Sequence, residues 1–138
     1  MDFSTINWLA LLVATLASFA LGAAWYGAIF KKAWVREVGV SEEDLKKGAN
    51  VGKIFGICLV LTAIMGFGMA ILIQVHGHGM INCYHGTLHG LFIGLCFIAP
   101  STAINYLYQR KSVLLWAIDA GYQVVFLTMM GAILGAWH

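Results

Sequence analysis

The stretch INWLALLVATLASFALGAAWYGAIF, residues 6–30, holds no charged residue and runs directly into Lys31, Lys32 and Arg36. It exceeds the ~20 residues that ~30 Å of hydrocarbon requires of a helix. Backbone amides and carbonyls find no water partners in lipid, so a run of this kind is predicted to be helical. Three further runs share the pattern, at about residues 54–74, 88–108 and 113–137. Buried helices of a soluble domain would show polar faces, and these show few. The chain is therefore predicted to be all-α: one integral membrane domain over residues 1–138, a four-helix bundle whose main partner is the lipid bilayer.

The charges orient it. Lys31, Lys32, Arg36, Lys46, Lys47 and Lys53 fall between the first and second runs, and Arg110 and Lys111 between the third and fourth. The N-terminal segment, the 75–86 connection and the C-terminal end carry no Lys or Arg. Basic loops are retained in the cytoplasm, so both termini are expected outside. An eight-to-zero bias leaves no room for dual topology. The first run lacks a basic leader, is too long for a signal-peptide core and ends in a basic stop, so it reads as a span. Trp8, Trp25, Tyr26, Trp34, Tyr106, Tyr108, Trp116 and Trp137 collect near the run ends, where amphipathic rings favour the headgroup level.

Composition agrees: 61% of residues are hydrophobic and 10% charged, against roughly 25% charged in a soluble domain. The net charge is +2 and the basic residues belong to loops, which argues against a nucleic-acid partner. No nucleophile–base pair, phosphate loop, dinucleotide fingerprint or haem-attachment motif is present, so no catalytic constellation is expected.

Small residues recur at four-residue spacing: Ala10, Ala14, Ser18 and Gly22; Gly52 and Gly56; Gly86, Gly90 and Gly94; Gly131 and Gly135. Such stripes let helices approach closely in lipid. They serve either packing within the bundle or an interface between subunits, and a homo-oligomer is expected because four helices bury little alone. In the first basic loop, Ser41, then Glu42, Glu43 and Asp44, then Lys46, Lys47 and Gly48 read as an N-cap, acidic first turn, basic last turn and C-cap. That order predicts a short amphipathic surface helix over about residues 42–47.

Several stretches resemble a bacterial family of small four-span membrane proteins, domain of unknown function 1761. They are Asn7-Trp8-Leu9-Ala10, Leu21-Gly22-Ala23-Ala24-Trp25-Tyr26, Lys32-Ala33-Trp34, Gly39-Val40-Ser41-Glu42-Glu43-Asp44-Leu45, Phe97-Ile98-Ala99-Pro100, Asp119-Ala120-Gly121-Tyr122 and Met130-Gly131-Ala132-Ile133-Leu134-Gly135. The resemblance covers nearly the whole chain. It implies an integral protein of a bacterial inner membrane with no established activity. The His-rich second connection is where the chain departs from it.

Asp119 is the one acidic residue inside a run. An ionised carboxylate in lipid is costly unless paired or hydrated. A short turn between the third and fourth runs places Asn105 at a similar depth. Gln123 stands one helical turn from Asp119. Pro100 frees a carbonyl near Cys96, and Ser101 and Thr102 follow it. Ser101, Thr102, Asn105, Asp119 and Gln123 thus form a candidate intramembrane polar or ion site. Three readings stand for Asp119: a hydrogen bond to Asn105 that fixes the hairpin, a proton- or cation-binding group, or a side chain reaching out to the interface.

On the opposite face, His76, His78, Cys83, His85 and His89 fall within one short segment. Imidazole and thiolate suit Zn, Cu or Ni. The spacing matches no established zinc module, and no accompanying acid would serve as a general base. The histidines read either as solvated loop residues, as metal ligands or as a pH sensor. Cys58 and Cys96 lie within runs as small apolar residues, and only Cys83 meets the exterior. The leading expectation is a protein that moves or gates a small solute, ion or proton. The alternatives are a metal-binding or metal-sensing membrane protein and an accessory subunit without chemistry of its own.

Overall fold

A computed structural model gives the fold and describes residues 6–41, 43–44, 50–76 and 80–137. Helix α1 runs over Trp8–Ala24 and continues through a π-helical turn, Trp25–Ile29. Helix α2 is Lys31–Val38 and α3 is Val51–Gln74. Helix α4 is Cys83–Tyr108, with a π-helical turn at Gly94–Ile98, and α5 is Val113–Ala136. No strand occurs among the described residues. Four of the helices, α1 with its π turn, α3, α4 and α5, are long and apolar enough to cross a membrane. The protein is an integral membrane four-helix bundle.

Each of the four long helices starts at a polar side chain that satisfies a free amide of the first turn. Asn7 Oδ1 accepts from the Ala10 N–H at 3.0 Å and Asn50 Oδ1 from Lys53 at 3.1 Å. Asn82 Oδ1 accepts from His85 at 3.1 Å and Ser112 Oγ from Leu115 at 3.0 Å. The caps set the boundaries. Helix α3 starts at Val51 and α4 at Cys83, each ahead of its apolar run. Helix α2 is an addition: the chain turns back into a helix directly after the first span and stops at Gly39, whose φ of +74° favours glycine. The expected surface helix over residues 42–47 lies outside the described residues except for Glu43 and Asp44. There Ser41 Oγ accepts from the Asp44 N–H at 3.1 Å.

Helix α5 is the hub and packs on α1, α2, α3 and α4. Its contact with α4 is the most extensive and is made through glycine. A Cβ on Gly86 would stand 2.1 Å from the Gly131 carbonyl oxygen, and one on Gly90 would stand 2.0 Å from that of Leu127. Backbone therefore meets backbone, and any side chain would force the helices apart. Helix α1 packs through Ala10, Ala14 and Ser18, all fully buried. Ser18 Oγ donates to the Ala14 carbonyl, so no polar hydrogen is stranded.

Helix α3 packs along half its length. Gly66, Met69, Ala70 and Ile73 are buried, whereas residues 51–58 are exposed. Gly52 has only its own cap, Asn50, nearby, and Gly56 has no neighbour within 4 Å of a built Cβ. The hydrophobic core of Ile6, Ala10, Met69, Ile73, Ile81, Met130 and Leu134 accordingly sits toward the end of the bundle where α1 begins and α5 ends. Asn7 Nδ2 donates to the Trp137 carbonyl at 3.1 Å and ties those ends together. At the opposite, basic end, α3 stands away from α1 and α5. Leu12, Leu16, Val60, Ile64, Phe92 and Phe97 face outward, as lipid rather than water would favour.

Candidate functional site

Two irregular turns shape the basic half of the bundle. In α1 the Phe30 N–H reaches back five residues to the Trp25 carbonyl at 2.8 Å. This π turn rotates the ring residues that follow Ala24 onto α5. Trp25 Nε1 donates to the Ile118 carbonyl at 3.0 Å, and Tyr26 Oη donates to Asp119 Oδ1 at 2.8 Å. In α4 the π turn ends at Ile98, two residues before Pro100, whose ring cannot sit against a regular preceding turn and which supplies no N–H. Trp116 Nε1 donates to the Ala99 carbonyl at 3.1 Å and pins α4 to α5 there. Beyond it, Tyr106 Oη donates to Asp119 Oδ2.

Asp119 is thus held by two phenols from two other helices. Both donors are uncharged phenols, and each meets a different carboxyl oxygen. The Tyr26 ring lies edge-on to Trp34 at 5.8 Å and to Tyr122 at 5.3 Å between centroids. Lys111 Nζ rests 5.0 Å from the Tyr106 ring centroid, on the basic turn. Outside the spans, Glu37 of α2 accepts from Ser112 Oγ at 2.5 Å and from Arg36 Nε at 3.1 Å. The Ser112 hydroxyl first, then the Arg36 hydrogen bond, holds the Glu37 carboxyl below its ordinary value. Ser112 also caps α5, so α2 and the start of α5 are joined at one serine.

Where α3 stands away, a laterally open cleft of about 760 Å³ remains between α1, α3 and α5. Tyr26, whose phenol binds Asp119, forms part of its wall. Gln123, Thr62 and Cys58 are its other polar lining residues apart from Tyr122.

A family model described as "Protein of unknown function (DUF1761)" matches residues 9–135. The chain belongs to this family. Neither the curated proteins nor the solved structures include a match to it.

Within this DUF1761 chain the polar residues anticipated around Asp119 separate. Gln123 lines the cleft. Thr102 Oγ1 donates to the Ile98 and Ala99 carbonyls, both at 3.0 Å, and so serves the backbone around Pro100. Ser101 and Asn105 are exposed. The residue that reaches Asp119 across the hairpin is Tyr106, in place of the expected Asn105. Counting residues along a hairpin gives depth, whereas adjacent helical positions differ by about 100° in direction, and only one of them faces the partner. Tyr26 and Tyr106 were legible only as interface aromatics. A buried phenol needs a hydrogen-bond partner, and that requirement was the available signal.

At the other end, Cys83 is exposed and starts α4. His85 Nδ1 lies 3.1 Å from Asn82 Oδ1, while the His76 and His89 rings meet edge to face at 4.7 Å. This contact joins the end of α3 to the start of α4, where His85 and His89 stand one helical turn apart. His76 Nδ1 lies 3.1 Å from the Leu72 carbonyl and His89 Nδ1 lies 2.7 Å from that of His85. A carbonyl only accepts, so each Nδ1 carries a proton. His78 lies outside the described residues. Among the described residues no three His, Cys, Asp or Glu side chains gather closely enough to hold a metal ion.

Proposed function

We propose that this protein moves a small solute, ion or proton across the bilayer, with Asp119 as the intramembrane group that binds it. The observation that carries the reading is the placement of Asp119. It is the one carboxylate in the four spans, it is solvated by two neutral phenols, and it lies behind the wall of a cleft that opens sideways. Ionisable groups inside membranes mark ion and proton paths because their burial is otherwise unfavourable. The basic end lies in the cytoplasm and the termini outside, in a bacterial inner membrane, following the distribution of Lys and Arg. The working unit is a homo-oligomer; the exposed Gly52–Gly56 end of α3 supports an interface there.

Reconstitution in liposomes that entrap a pH-sensitive dye tests the proposal. A proton flux should appear with the wild type and be lost in Asp119→Asn, with the oligomer mass unchanged in native mass spectrometry. An Asp119→Asn protein that folds, assembles and conducts as the wild type does would remove it.

A second reading, a metal-binding or metal-sensing protein using Zn, Cu or Ni, has its own observation. His76 and His89 adjoin, and each gives its Nδ1 proton to a backbone carbonyl, the arrangement that orients metal-binding imidazoles. Elemental analysis after chelator-free purification should then find metal that is lost in His76→Ala with His89→Ala. Metal-free wild-type protein would dismiss it.

A further inference from the structure

The wall of the cleft between α1, α3 and α5 is mainly apolar, and its few polar groups are of one kind. Phe19, Tyr26, Phe55, Tyr122 and Phe126 contribute aromatic rings to it, and no described lining residue is basic. Its three hydroxyl groups have all given their protons to the protein. Tyr26 donates to Asp119, Tyr122 to the Ser18 carbonyl at 3.2 Å, and Thr62 to the Cys58 carbonyl at 2.8 Å. None of these hydroxyl protons is left for a ligand, and what remains on each oxygen is lone-pair density. The ring faces are likewise electron-rich. Behind Tyr26 stands Asp119, whose two phenol partners are uncharged. Gln123 alone brings an N–H to the cleft, and its amide has no hydrogen-bond partner among the described residues. An anion would meet lone pairs, ring faces and Asp119 together, and a neutral apolar molecule would leave the carboxylate uncompensated. A cation with apolar substituents satisfies all three features, because charge–charge and cation–π attraction are both strengthened away from water. A space of about 760 Å³ suits a drug-sized molecule.

We propose that this cleft is a binding site for a lipophilic organic cation, such as a quaternary ammonium or phosphonium compound, drawn in from the side by the Asp119 charge. The inference rests on the reading of Asp119 as an intramembrane charge and names the solute class that this charge selects.

Three isosteric probes separate charge from shape: tetraphenylphosphonium, tetraphenylsilane and tetraphenylborate. Their binding to the full chain in detergent is measured by equilibrium dialysis. Protection of the cleft thiol Cys58 from a lipophilic maleimide locates the ligand, with Cys83 and Cys96 as references. The phosphonium should bind at least about tenfold more tightly than the neutral silane, and the borate should bind weakest. It should slow Cys58 alkylation and leave Cys83 and Cys96 unaffected. Asp119→Asn should erase the preference for charge. Ala23→Trp, on the exposed lipid side of α1 within the cleft, should block phosphonium binding with Asp119 intact. Equal binding of silane and phosphonium, or no protection of Cys58, overturns the proposal, even if Asp119→Asn does not fold. Because the readout is binding, it stands apart from flux. Charge-selective binding beside an unaltered proton flux in Asp119→Asn would retire the transport reading and keep the site.

Discussion

At the residue scale, one carboxylate organises three helices. Asp119 on α5 receives a hydrogen bond from Tyr26 of α1 and another from Tyr106 of α4. A double-mutant cycle of Tyr26→Phe and Asp119→Asn, read from unfolding in a denaturing detergent, should return a coupling of about 1 kcal/mol, the usual size for a hydrogen bond within a membrane bundle. Additive effects would mean that the contact contributes nothing to stability. Asp119 was legible in the sequence because a charge within an apolar run stands out whatever its surroundings. Its partners were not. A tyrosine near the end of a span serves equally as a headgroup anchor or as a donor to another helix, and the choice depends on the direction in which its ring points. Asn105, the more polar candidate, lies one position off that direction.

At the element scale, the small-residue stripes look alike in sequence and behave differently in space. Gly90 has the Leu127 backbone directly against it, whereas Gly56 faces open space. Gly90→Ala should therefore destabilise the bundle by several kcal/mol, of the order of an overpacked core, about 1–3 kcal/mol or more. Gly68→Ala, at an exposed α3 position with no neighbour within 4 Å and outside the proposed subunit interface, should be neutral or stabilise by about 0.5–1 kcal/mol through helix propensity. Thermal melts of the two variants decide it; equal losses would contradict the glycine contact between α4 and α5. The join of α2 to α5 gives a pH prediction. The Ser112 and Arg36 hydrogen bonds hold the Glu37 carboxyl below its ordinary value of 4.5, so the stabilisation is present above that value. It is lost as pH falls through the lower, folded-state value. Trp34 fluorescence, reporting the seat of α2, should be steady from neutral pH to about 5 and change only below ordinary carboxylate pH, and Glu37→Gln should abolish the change. A transition near neutrality would point to a different group. The caps Asn7, Asn50, Asn82 and Ser112 were readable as residue types. The π turns were less so: Pro100 signalled a local break in α4, but nothing in Ala24-Trp25-Tyr26-Gly27 announced one in α1.

At the scale of the whole molecule, the start of α1, the end of α5, the end of α3 and the start of α4 lie at one end of the bundle, and Lys31, Arg36, Arg110 and Lys111 at the other. In the proposed orientation a membrane-impermeant thiol reagent added to intact cells should reach Cys83, and labelling only after lysis would reverse it. By itself the sequence determined the helical class, the four apolar spans, the segregation of Lys and Arg to alternate connections and the single intramembrane carboxylate. These follow from the hydrophobicity and charge of consecutive residues, which one dimension records. Only the tertiary structure decided that α5 is the hub, that glycine joins it to α4, that Tyr26 and Tyr106 converge on Asp119, and that α3 leaves a cleft at the basic end. Those depend on the rotation of each helix about its axis and the lean between axes. Both are set by which side chains fit against one another across distant parts of the chain.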